Sequence, residues 1–206
     1  MMKTRSLVLS LLLCLLCSSA YSEVTISGGA GGFPDEKFRQ HDSKNFYTNG
    51  DGVLSDSELA AVTRVNVSNV GVSSLKGIEH FTELLELDCS YNDLKELDVS
   101  ANKKLEELYC RDNQLTAVDT RSNPELLELS IENNQIGGVD VSRNPKLRLL
   151  FCVNNKISAL DVSSNTAIIS LDCSANQITA LDVRKNTAMT MLQCKGGQVR
   201  DAGCQS

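Results

Sequence analysis

Oxygen-bearing side chains recur at ligand spacing in Asn49-Gly50-Asp51-Gly52-Val53-Leu54-Ser55-Asp56-Ser57-Glu58. Asn49 and Asp51 precede Gly52, Val53 offers a backbone carbonyl, and Ser55 offers a hydroxyl, directly or through a water. Glu58 stands where a bidentate carboxylate would close the shell. Hard oxygen donors around a sharp glycine turn are the chemistry of calcium. The first position of such a set, ordinarily a carboxylate, is Tyr47, which removes charge and weakens the site; Asp42 is a carboxylate that could swing in instead. The same residues have a second reading. Asn49-Gly50 makes a turn, and Ser55-x-x-Glu58 is a capping box in front of Leu59-Ala60-Ala61-Val62. The sequence leaves both open.

Other reactive types give less. His41 and His80 are the two histidines, and neither accompanies a candidate nucleophile. There is no Gly-rich phosphate loop, no Ser-His-Asp order and no metal cluster, so the expectation is a protein that is not an enzyme, with no catalytic residues. Cys89, Cys110, Cys152, Cys173 and Cys194 lie 21 or 42 residues apart, which matches no metal motif. Ile131 takes the same place once, and a position that accepts Ile is a core position, so these cysteines are expected as buried thiols. Bridges between stacked strands would be strained, because the side chains stand parallel. Cys204 lies off the column and is the one expected to react or pair. Asp98, Asp119, Asp140, Asp161 and Asp182 also recur every 21 residues, a regularity that suits a turn-forming ladder better than an acid/base pair.

The spacing of these residues follows from a repeat. Units of 21 residues begin at Leu84, Leu105, Leu126, Leu147 and Ile168, with a partial copy from Met189. The first reads LLELDCSYNDLKELDVSANKK. Apolar residues alternate with polar ones at its fourth and sixth positions, as a half-buried strand requires. Asn92, Asn113, Asn134, Asn155 and Asn176 form one column, and Asn102, Asn123, Asn144, Asn165 and Asn186 a second. Buried amides make sense only where they bond backbone groups in a turn. Two such turns per short unit leave room for extended or 3₁₀ segments, not long helices, on the far side.

The pattern L-x-x-L-x-C/I-x-x-N-x-L/I, followed by L/V-D-V-S-x-N, resembles the leucine-rich repeats of exported bacterial proteins. The segment around Asn49–Glu58 is similar to EF-hand-like or dockerin-like calcium loops. The first resemblance implies an α/β-type repeat solenoid of about six coils with a parallel concave sheet, capped by a helix–loop–helix. It implies a binding module of the adhesion or host-contact type, and the second resemblance implies calcium as a weak cofactor that would order the array.

Strand positions that point outward are where such a protein would bind. They read Glu86-Asp88-Ser90, Glu107-Tyr109-Arg111, Glu128-Ser130-Glu132, Leu149-Phe151-Val153, Ser170-Asp172-Ser174 and Met191-Gln193-Lys195. The fourth set is apolar throughout. Tyr109 and Phe151 fall in one column, two strands or about 10 Å apart. With the acidic Glu86, Asp88, Glu107, Glu128 and Glu132 alongside, this resembles the anchor and rim of a protein interface. Another protein, or a glycan, is the expected partner of a monomer.

Composition frames these readings. The chain has 206 residues, with 28 Leu, 16 Asn, nine aromatics and no Trp, so its core must be aliphatic. A net charge of -6 with scattered basic residues excludes a nucleic-acid stripe. Lys3 and Arg5 before the apolar run 7–17 read as an export signal cut after Ser22, with a lipoprotein acceptor at Cys17 as the alternative. Removing Lys3 and Arg5 takes the charge to -8, and no other run is long enough to span a membrane. The expected order is a signal over 1–22, a flexible leader over 23–32 and a helical cap over 33–61. A worn first repeat over 62–83, five repeats over 84–188 and a partial end over 189–206 complete it. A secreted, periplasmic or cell-surface location follows.

Overall fold

The computed structural model describes residues 24–25, 32–46 and 52–196. The signal segment with Cys17 and Ser22, the loop residues Tyr47, Asn49 and Asp51, and Cys204 lie outside the described residues.

Seven short strands form one parallel sheet in sequence order. They are β3 (Arg64–Asn66), β4 (Glu86–Asp88), β5 (Glu107–Tyr109), β6 (Glu128–Ser130), β7 (Leu149–Phe151), β8 (Ser170–Asp172) and β9 (Met191–Gln193). The worn first repeat supplies β3 and the partial last repeat supplies β9. From β4 onward each residue pairs with its equivalent 21 positions on, as Leu87 with Leu108 and Leu108 with Leu129. Leu84, Leu87, Cys89, Leu94 and Val99 of one unit are buried, and so are their counterparts in the next three units, while Val183, Met189 and Leu192 nearer the end are partly buried. Burying each such Leu stabilises the fold by roughly 2 kcal/mol relative to exposure. The stack shares that gain with its neighbours, so no single coil has a complete core of its own.

Both asparagine columns act through the backbone. Asn134 Nδ2 donates to the carbonyls of Cys110, Ile131 and Glu132, and its Oδ1 accepts from Leu115 N at 2.9 Å. The residue before each amide turns left-handed: Tyr91, Asp112, Asn133, Asn154 and Ala175 have φ between 53° and 58°. In the second column Asn123 Nδ2 donates to Val99 O and Asn102 O, one coil below. The aspartates are turn formers, since Asp98, Asp119, Asp140, Asp161 and Asp182 each accept from the backbone N–H two residues on. The far side of each regular unit is built of such turns rather than helix.

The N-terminal end is sealed by helices. Helix α1 (Glu36–Asn45) begins where Asp35 Oδ1 accepts from the N–H groups of Lys37 and Phe38. Asp35 Oδ2 reaches the first coil, accepting from Ser73 N, Ser73 Oγ and Ser74 N. Phe33, Phe38, Phe46 and Phe81 cluster against one another over the open end of the stack. Gly77 makes this possible, because at φ +109° an added Cβ would meet Phe33 Cδ1 at 2.4 Å. Of the expected leader, residues 24–25 and 32 are described. Val24–Thr25 is a strand, β1, paired antiparallel with β2 (Val53–Leu54), and Val24 is buried. An apolar side chain with a vacant edge beside it pairs rather than staying free.

Candidate functional site

The outward face of the sheet carries a hollow of about 300 Å³ whose lining runs from Ser68 to Phe151 and includes Ser130. Across the sheet, Ser130 lies directly between Tyr109 of β5 and Phe151 of β7. Along its own chain Glu128 and Glu132 stand two residues to either side, about 7 Å away. Ser130 is buried, and the four larger residues around it line the same hollow. Its walls include Asp88, Tyr91, Tyr109, Glu128, Glu132 and Phe151.

Hydrogen bonds fix this rim. Tyr109 Oη donates to Glu107 Oε2 at 3.0 Å, and Ser130 Oγ bonds Glu132 Oε2. Burial and the neighbouring carboxylates hold the Tyr109 phenol protonated far above its ordinary range. Burial also raises the Glu128 carboxyl, opposed by the Tyr109 hydroxyl and reinforced by the charges of Glu107 and Glu132. Arg111 also lines the hollow, its Cζ 4.8 Å above the Tyr91 ring.

The residues expected to bind are therefore only partly brought together. Tyr109, Phe151, Asp88, Glu128 and Glu132 share the hollow. Leu149 and Val153 flank Phe151 on the same half-buried rung but do not line it. Glu107 acts through the Tyr109 hydroxyl, and Glu86 forms an ion pair with Arg64 at the first strands. Tyr91 and Ser130 were not singled out from sequence. Ser130 was detectable as a small residue between two aromatics in one column; Tyr91 was not, because its place in the turn carries Asp, Asn or Ala elsewhere.

Of the calcium set, Val53, Ser55 and Glu58 are described. Gly52 has φ +88°, and Val53 lies in β2. Ser55 and Glu58 form a reciprocal capping box on α2 (Asp56–Ala61), with Glu58 Oε2 accepting from Ser55 N at 3.0 Å. Among the described residues no group of three His, Cys, Asp or Glu side chains is placed to hold a metal ion.

One expectation about the cysteines needs correction. Cys89, Cys110, Cys152 and Cys173 are buried free thiols, but Cys194 is disulfide-bonded. It follows the last described strand, and because Cys89, Cys110, Cys152 and Cys173 are free its bridge is not made to a stacked cysteine of the column. Burial raises the Cys173 thiol to about 11.

No family model matches the chain. A 70-residue stretch is 36% identical to Internalin J of Listeria monocytogenes serotype 4b, covering 34% of this chain and 8% of that protein. The functional domain of InlJ from Listeria monocytogenes, which includes a cysteine ladder, superposes with a TM-score of 0.52 at 28% identity. It matches 83% of this chain and 48% of its own. An internalin C2 from the same species has a TM-score of 0.65 at 18% identity, covering 89% of this chain and 92% of its own, a likeness of fold alone. The chain thus spans less than half the length of the first two relatives. Among the described residues no helix is long and apolar enough to cross a membrane. The protein is a leucine-rich repeat solenoid, similar in sequence and build to the internalins of Listeria monocytogenes.

Proposed function

We propose that the protein is an exported or surface-displayed interaction module that grips a protein partner, as a monomer, through the sheet face around Phe151. The observation that carries this is the rung Leu149-Phe151-Val153, half-buried and apolar on a face whose neighbours are acidic or hydroxylated. An aromatic anchor beside a hollow and within a polar rim is the layout in which a few residues supply most of the binding energy. The likeness to internalin J supports a role in protein contact, and the basic, apolar start of the chain supports export. No catalytic step is proposed.

Crosslinking in the native setting tests this reading. A photoreactive phenylalanine analogue at position 151 should form a discrete protein adduct, and the same analogue at Ser158, outside the sheet, should not. Phe151→Ala with unchanged affinity for the partner so identified would overturn the placement. A glycan ligand would show instead as capture that survives protease treatment of the source material.

The cap loop supports a second reading, calcium ordering of the array, because Gly52 adopts the left-handed turn that such a loop needs. Titration of calcium decides it. Heat release and a rise in melting temperature at millimolar calcium support the site, and neither response removes it.

A further inference from the structure

The hollow over Ser130 is specific in what it offers. Two aromatic rings flank it across the sheet, on strands either side of Ser130. A group seated over Ser130 lies about 5 Å from each ring column, inside the roughly 6 Å reach of a cation on an aromatic face. Along the strand two carboxylates, Glu128 and Glu132, stand on opposite sides, and Asp88 adds a third to the lining. The one basic residue in that lining, Arg111, stacks on Tyr91 and lies level with Glu132 on the neighbouring strand, so against Asp88, Glu128 and Glu132 the lining keeps an excess of negative charge. Glu128 is held partly protonation-prone by burial and by its acidic neighbours, so an arriving positive charge relieves a repulsion already present.

We infer that this hollow receives an arginine side chain of the protein partner, its guanidinium placed between Tyr109 and Phe151 and hydrogen-bonded to Glu128 and Glu132. The inference rests on the reading of the sheet face as a protein-binding surface and adds the chemistry that the partner must present. Arginine suits the site because its planar guanidinium stacks on rings and donates to two carboxylates at once. A neutral sugar would use the rings but leave the excess of carboxylates over Arg111 unbalanced.

Backbone amide NMR on the whole protein tests the inference with three probes: the peptide acetyl-Gly-Arg-Gly-amide, its uncharged citrulline analogue and a neutral oligosaccharide. The arginine peptide should shift the amides of residues 109, 130 and 151 and bind at least about tenfold tighter than the citrulline peptide, the margin of a charge-assisted hydrogen bond. Glu128→Gln and Glu132→Gln, which keep shape and volume, should each erase that margin without changing the citrulline result. Equal binding of the two peptides, no response to either, or a response to the oligosaccharide alone would overturn the inference. If the arginine margin is absent while Phe151→Ala still abolishes crosslinking, the docking surface stands and the arginine assignment falls. If Phe151→Ala changes nothing, the surface itself is lost.

Discussion

Thr120 Oγ1 donates to Asn144 Oδ1 at 2.9 Å inside the stack. Thr120 occupies a position filled by Val99, Val141 and Val162 in other units, and the partner lies one coil above. The side-chain carbonyls of Asn102, Asn123, Asn165 and Asn186 are buried without a donor among the described residues. Asn144 is therefore the one member of that column whose amide is fully used. Thr120→Val should destabilise by about 1 kcal/mol by orphaning a buried acceptor. Val141→Thr should reproduce the bond on Asn165 and leave stability equal or higher. Denaturant melts of the two variants check both signs.

The first asparagine column should be far less tolerant. Asn134→Ala leaves the Leu115 N–H without its acceptor and takes one of two donors from each of the carbonyls of Cys110, Ile131 and Glu132, and should cost about 2 kcal/mol. Its neighbour Asn133 makes only exposed amide contacts and holds φ +53°. Asn133→Gly, which suits that conformation, should stay within about 0.5 kcal/mol. Thermal melts of the adjacent pair separate buried from surface amides.

Acid should loosen the structure through its aspartates. Hydrogen bonds to the Ser100, Ser142 and Ser163 turns lower the carboxyls of Asp98, Asp140 and Asp161. The Arg121 side chain lowers Asp119 to about 2, and Arg184 lowers Asp182 further. Asp35 is also lowered: burial alone would raise it, but its bonds from Ser73, Phe38 and Ser74 outweigh that. A depressed carboxylate contributes stability that is complete above its unfolded value near pH ~4 and is lost as pH falls through the folded value. The melting temperature should hold from pH 7 to 5 and drop steeply between about 4 and 2. Asp35→Ala should lower it at neutral pH by removing the tie between cap and first coil, worth about 1 kcal/mol or more.

Thiol chemistry should report the core directly. Cys89, Cys110, Cys152 and Cys173 are buried, and burial or the adjacent cysteine raises the thiols of Cys89, Cys152 and Cys173. Ellman's reagent on native protein should leave all four unreacted, and they should appear on unfolding in denaturant. Cys194 should join them only after reduction. Rapid reaction of the four in native buffer would contradict the stacked core.

Periodicity made the array legible from the residues. A 21-residue recurrence forces Leu87, Leu108 and Leu129 into one column, because a stacked coil buries an apolar side chain only against its own equivalent. The asparagine turns, the aspartate turns and the Ser55–Glu58 capping box were readable for the same reason: each is a local hydrogen-bond rule with a fixed offset. The ends were less legible. The pairing of Val24–Thr25 with Val53–Leu54 spans nearly thirty residues with no repeat to announce it. The Cys194 bridge belongs to a place where the period has already decayed.

By itself, the sequence determined the repeat, the parallel register and the inward and outward sense of every strand position, since period and alternation leave one arrangement that buries the leucines. Only the tertiary structure decided which outward residues act together. It paired Glu86 with Arg64, bonded Glu107 to the Tyr109 hydroxyl, and left Ser130 low between two rings and two carboxylates. Side-chain heights and lateral contacts across neighbouring strands set that grouping, and a linear pattern records neither.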